Sequence, residues 1–92
     1  MSARAILQAL VALSAEVPDA SADPVDVLER GYQVSAARAP LFAQLRSLPL
    51  AVEDEPLVDV LTHLGASWEA ALTRAHHAVG ERVRALPHRR PR

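Results

Sequence analysis

Residues 55–86 read EPLVDVLTHLGASWEAALTRAHHAVGERVRAL, and this stretch decides the fold. Its large apolar residues recur at steps of three or four, which is the period of one face of an α-helix. The pattern predicts one long amphipathic helix over residues 55–86, whose apolar stripe needs other helices to cover it. The stripe consists of Leu57, Leu61, Leu64, Trp68, Leu72, Ala75, Val79, Val83 and Leu86.

Two shorter helices are predicted before the long one, and prolines separate all three. The first covers residues 2–17. The second covers residues 23–48, where Asp23 suits the N-cap and Pro24 suits the first helical position. Pro40 removes a backbone hydrogen bond from the interior of this helix, at a cost of about 3 kcal/mol. Because the apolar pattern continues past it, we expect a kink near residue 40 rather than a break.

These elements predict an all-α fold, either a three-helix antiparallel bundle or a helical hairpin with a long C-terminal helix. Residues 1–87 are expected to form the single domain, and residues 88–92 a disordered basic tail. The apolar stripe is longer than the two preceding helices can cover. We therefore predict that its distal part, Val79 to Leu86, is left open within the chain and is completed by another chain.

The charge distribution indicates association with a partner or with a second copy. Residues 1–60 carry four arginines against nine acids, and residues 61–92 carry six arginines against two acids. Opposite charge at the two ends can steer such association. A domain of 92 residues buries a limited fraction of its surface, so a homo-oligomer is a reasonable expectation.

The sequence contains no motif that is typical of a catalytic site. The absence of cysteine excludes a thiolate nucleophile, a thiolate metal site and a disulfide framework. The histidine spacings do not match a zinc-binding helix, and the glycines are isolated within helices rather than grouped in a phosphate-binding loop. We therefore expect no enzyme activity, no catalytic residue, no metal and no cofactor.

The location expected from the sequence is the cytoplasm. No apolar run approaches the roughly 20 residues that a membrane-spanning helix needs. Residues 1–13 resemble a signal peptide only faintly, because Gln8 interrupts the apolar stretch, and an N-terminal amphipathic helix is the preferred interpretation. No membrane partner is expected.

Residues 27–30 (VLER) and 41–49 (LFAQLRSLP), followed by an acidic loop and by Pro56-Leu57 opening a long helix, resemble the flagellar FliT-type export chaperones. The resemblance covers roughly residues 23–86 and is compositional and architectural. It implies a small cytoplasmic bacterial helical bundle that holds a secretion substrate or regulator through apolar helix faces.

The preferred hypothesis is thus a non-enzymatic helical module, an adaptor or export chaperone, that binds a partner helix through apolar faces of the second and third helices. A self-assembling structural subunit is the alternative. Trp68 is either a core residue or an anchor for the partner, since tryptophan is enriched at interface hot spots. The predicted partner-binding residues are Trp68, Leu72, Val79, Val83 and Leu86.

A small nucleic-acid binder is the third hypothesis, and it rests on the arginine cluster near the C-terminus. Cations at the end of a helix also complement the helix dipole, and the rest of the chain is acidic. Nucleic acid is therefore not the expected partner. The possible polyanion contacts are Arg82, Arg84, Arg89 and Arg90.

Overall fold

A computed structural model describes residues 2–87 of the chain. Three helices form it: α1 (Ala3–Ser14), α2 (Pro24–Leu45) and α3 (Glu55–Ala85), with a single 3-10 turn at Val52–Asp54 before α3. All three helices pack against one another. The predicted all-α fold with a long C-terminal helix is confirmed.

The helix boundaries differ from the prediction mainly at the ends of the first two helices. α1 ends at Ser14 rather than at residue 17, because the residue before Pro18 is disfavoured in the helical region. α2 ends at Leu45 rather than at residue 48. Pro40 lies inside α2 without ending it, as expected. Its exposed position leaves the unpaired carbonyl of the preceding turn accessible to water.

The core lies where α1 crosses the antiparallel pair formed by α2 and α3. Ile6, Leu7 and Leu10 of α1 are almost completely buried and pack with Leu61 of α3. Each such side chain contributes about 1.5–3 kcal/mol on burial. A second, smaller cluster joins α2 and α3 further along, through Val27, Ala71 and Ala75.

α2 packs closely on α3 at Gly31, which is buried against Leu72. A Cβ atom added at Gly31 would overlap the Cδ2 atom of Leu72. A glycine at position 31 therefore lets α2 and α3 pack closely beside Leu72.

The distal end of α3 has little cover from the rest of the described chain. An ion pair of 3.1 Å between Arg82 and Asp23 places the start of α2 beside Arg82. Val79 is half-buried, but Val83 is 59% exposed and Leu86 is 62% exposed. The prediction that this segment lacks a complete intramolecular cover is confirmed, while its completion by another chain stays a prediction.

Candidate functional site: an apolar groove between α2 and α3

An open groove of about 890 Å³ lies between α2 and α3. Residues of both helices form its walls, and Leu48 and Leu50 of the loop after α2 also line it. None of the groove-lining residues belongs to α1. The principal apolar and glycine positions along it are Gly31, Val34, Phe42, Leu45, Leu48, Leu50, Gly65, Trp68 and Leu72.

Two features of the sequence create this groove. The core cluster of α1 and Leu61 packs against Phe42, Leu45 and Leu48, but no residue of α1 lines the groove, so no third helix covers the surface that these side chains present to it. Gly65 has no side chain, and a Cβ atom added there would meet nothing within 4 Å. An amphipathic pair of helices covered on one side therefore leaves an apolar channel on the other.

The apolar lining is partly accessible to solvent. Leu50 is 54% exposed. Phe42, Leu45, Leu48 and Leu72 are half-buried, and each still has surface that a ligand could cover. Contiguous apolar surface of this kind on a small protein marks an interaction site more often than an isolated exposed leucine does.

The charged side chains of the groove are two arginines and one glutamate. Arg38 and Arg46 lie on the α2 side, and Glu69 and His76 lie on the α3 side. The guanidinium carbon of Arg38 lies 5.0 Å from the centroid of the Phe42 ring, a cation–π arrangement that holds the charge next to the apolar lining.

Trp68 is a core residue, which is one of the two interpretations that the sequence allowed. Its side chain is 4% exposed, and its Nε1 donates a hydrogen bond of 2.9 Å to the backbone carbonyl of Ser14. The indole lines the groove, but the chain itself covers almost all of it. This burial favours the core interpretation, and a contact between Trp68 and a partner stays a prediction.

The other predicted partner-binding residues fall in two places. Leu72 lines the groove. Val79, Val83 and Leu86 do not line it and lie toward the distal end of α3 instead. These predicted residues share one stripe of α3 in the sequence pattern, but they do not share one site. The stripe is covered by α1 and α2 in the bundle and is exposed at the distal end of the helix.

Arg82 and Arg84 are the two predicted polyanion contacts that the structure describes, and each forms an ion pair within the chain. Arg82 pairs with Asp23 at 3.1 Å, and Arg84 pairs with Glu81 at 2.7 Å. Each carboxylate partially neutralises its arginine, which weakens the case for phosphate binding. Arg89 and Arg90, with the rest of the predicted tail 88–92, lie outside the described residues.

The sequence pattern missed two important parts of the site. Arg38 and Arg46 were not singled out, since neither belongs to a charge cluster along the chain. Gly65 was considered only as one of the glycines isolated within helices. A glycine inside a helix costs about 1 kcal/mol, and that cost was the available signal for a packing or binding role.

Within residues 2–87, no group of three histidine or acidic side chains is arranged to hold a metal ion. The pKa of Asp19 is lowered, first by a hydrogen bond from the Ser21 hydroxyl and then by one from the Ser21 backbone N–H. Asp19 lies in the loop between α1 and α2, away from the groove. The described helices also lack any segment of the length and apolarity required to cross a membrane.

The fold and the groove define a small all-α protein with an open apolar channel between two antiparallel helices. No protein-family model, curated protein or solved structure matches this chain. The resemblance to FliT-type export chaperones thus stays a prediction.

Proposed function

We propose that this protein is a non-enzymatic binding module, an adaptor or export chaperone, that holds an amphipathic helix of a partner protein between α2 and α3. The observation that carries the proposal is the open apolar groove between these helices. Helix-in-groove recognition buries one apolar face of a partner helix against such a channel.

The length of the groove suits a helix rather than a small molecule. Gly31 and Arg46 mark its extent along α2, which corresponds to about 22 Å at roughly 1.5 Å per residue. A partner helix of about four turns would fit along it. Its apolar side chains would meet Val34, Phe42 and Leu50, and polar residues on its other face would stay in water.

The energy of such binding would come from covering apolar surface that the chain leaves accessible. Each 100 Å² of apolar area removed from water contributes about 2.5 kcal/mol before the costs of association. The half-buried Phe42, Leu45 and Leu48 and the exposed Leu50 supply this area. Since Phe42 and Leu45 lie on α2, which is already ordered in the bundle, they require little further ordering.

A direct test uses a neutral amphipathic peptide of about four helical turns that carries leucines at helical spacing but no tryptophan or charge. Trp68 is the single tryptophan of the chain and borders the groove, so its emission reports binding. Amide NMR shifts then locate the peptide. We expect saturable binding with shifts concentrated in residues 31–50 and 65–76.

The matched variants are Gly65→Phe and Gly80→Phe, which add the same ring to α3 inside and outside the groove. We expect Gly65→Phe to weaken binding at least tenfold, or about 1.4 kcal/mol, and Gly80→Phe to leave it unchanged. The proposal fails if no peptide binds up to about 1 mM, the weakest affinity of interest at about −4 kcal/mol. It also fails if the shifts map to another surface.

Self-assembly is the second candidate, and the uncovered end of α3 favours it. Val83 in the last turn of α3 and Leu86 at its C-cap are both more than half exposed. The test is the mass in solution as a function of concentration, for the natural chain and for Leu86→Asp. A mass that rises with concentration and returns to that of a monomer in Leu86→Asp supports assembly, and a monomer throughout contradicts it.

A further inference from the structure

We infer that the groove selects an acidic partner helix, one that carries carboxylates along the edge of its apolar face. This inference rests on the proposed function and adds the chemistry of the partner. The side chains that carry it are Arg38 and Arg46, which lie along the α2 side of the groove.

Arg38 and Arg46 lack an ion pair among the described residues, as Arg4 and Arg74 also do, but of these four arginines only Arg38 and Arg46 line the groove. Arg30, Arg82 and Arg84 each contact a carboxylate within 3.1 Å. The Nε atom of Arg38 is buried and has no hydrogen-bond partner in this part of the chain. Two basic groups without carboxylates therefore border the apolar channel.

Their spacing specifies where the partner's carboxylates belong. Arg38 and Arg46 are eight residues apart, with Phe42 midway between them, so all three lie near one face of α2. The two Cα positions are about 12 Å apart along the helix axis. Two acidic residues separated by about two turns on a partner helix would reach both arginines while its apolar face contacts Phe42.

The opposite side of the groove carries a different charge pattern. Glu69 is its one acidic residue, and His76 lines the same side. The groove therefore holds two arginines against one glutamate, although the chain as a whole has a net charge of −1. The local field favours an occupant with negative charge on its α2-facing edge.

A second copy of this chain is a poor occupant by the same criterion. Its uncovered apolar segment is the end of α3, where Arg82 and Arg84 lie next to Val83 and Leu86. Docking that segment in the groove would bring these arginines, which Asp23 and Glu81 neutralise only in part, toward Arg38 and Arg46. Like charges at this range oppose association, so self-assembly through the end of α3 would use another surface.

The experiment uses three peptides with one apolar face, whose flanking positions carry glutamine, glutamate or arginine. We expect the glutamate peptide to bind about five- to twentyfold more tightly than the arginine peptide at low salt, since exposed ion pairs contribute modestly. The difference should shrink as salt screens the charges. Arg46→Glu should remove or reverse the preference. Arg74→Glu, the same charge change on α3 outside the groove, should leave it intact.

Four outcomes are distinguishable. The expected charge preference, lost in Arg46→Glu and kept in Arg74→Glu, supports the inference. Equal affinity for the three peptides overturns it and leaves the proposed function standing. Absence of binding by all three overturns both. The fourth outcome uses a competitor without an apolar face, a short DNA strand or polyglutamate of equal charge. If it displaces the glutamate peptide, the groove is a general polyanion-binding surface, and the inference is overturned.

Discussion

The indole Nε1 of Trp68 donates a hydrogen bond of 2.9 Å to the backbone carbonyl of Ser14, and it links the middle of α3 to the last residue of α1. Carbonyl groups in the last turn of a helix lack partners within that helix. The indole therefore satisfies one of them in a place that water does not reach, since both residues are buried. This contact fixes α1 against the part of α3 that borders the groove.

Replacing Trp68 with phenylalanine should destabilise the fold by about 1–3 kcal/mol, because the buried carbonyl of Ser14 loses its donor. Urea unfolding followed by circular dichroism measures this change without relying on tryptophan emission. A free energy of unfolding within about 0.5 kcal/mol of the natural chain would mean that the carbonyl finds another donor or water.

Ser14→Ala should have the opposite effect. The Ser14 side chain is fully buried, and its hydroxyl has no hydrogen-bond partner among the described residues. Removing it relieves a desolvation cost, and alanine is the better helix former, so we expect up to about 1 kcal/mol of stabilisation. The backbone carbonyl that accepts from Trp68 remains. A loss of stability in thermal unfolding would show instead that the hydroxyl makes a favourable contact.

The glycines Gly31 and Gly65 should respond differently to alanine. At Gly65 the added methyl meets open space, so the helix propensity gain should appear as about 0.5–1 kcal/mol of stabilisation. At Gly31 the methyl overlaps Leu72, which must move. We expect Gly31→Ala to be at least about 1 kcal/mol less stable than Gly65→Ala in urea unfolding. Equal stability of the two would contradict the close approach of α2 to α3.

The carboxyl of Asp19 should titrate below its ordinary pKa of 3.8. Its Oδ1 accepts hydrogen bonds from the hydroxyl and the backbone N–H of Ser21, and both favour the ionised form. A lowered pKa in the folded state means that this contribution to stability is present above the unfolded pKa and is lost as the pH falls through the folded value.

Carbon NMR of the side-chain carboxyl in an acid titration measures this pKa. Ser21→Ala should raise it toward 3.8, because the larger cause of the shift is removed while the backbone bond remains. Ser47→Ala is the control, since the Ser47 hydroxyl donates to the carbonyl of Gln44 rather than to a carboxylate. An Asp19 pKa that is the same in the natural chain and in Ser21→Ala would contradict the assignment.

Much of the fold was predictable because helix formation and burial leave a local pattern. The eight steps of the α3 stripe have the helical period, and Leu61, Trp68 and Ala75 on it are buried as predicted. The Oγ of Ser2 accepts a hydrogen bond from the N–H of Ala5 and caps α1, a role for which serine is a preferred residue type. Asp23 occupies the expected N-cap position of α2, but its side chain pairs with Arg82 instead of capping the helix.

The candidate site was far less predictable. The apolar period marks which residues face inward, but it does not tell which neighbouring helix covers each of them. Trp68 and Val83 belong to the same stripe, yet one is 4% exposed and the other 59%. The difference depends on where α1 and α2 begin and end relative to α3, and this arrangement is set by contacts between residues far apart in the chain.

The sequence by itself determined three helices, their order and the apolar face of the longest, because propensity, capping residues and periodicity act over a few residues. Only the tertiary structure decided that α1 leaves one side of the α2–α3 pair open. It also brought Arg38, Phe42 and Gly65 to one channel, because close packing at Gly31 and the position of α1 determine which surfaces meet. Those contacts join residues distant in sequence, and no local pattern encodes them.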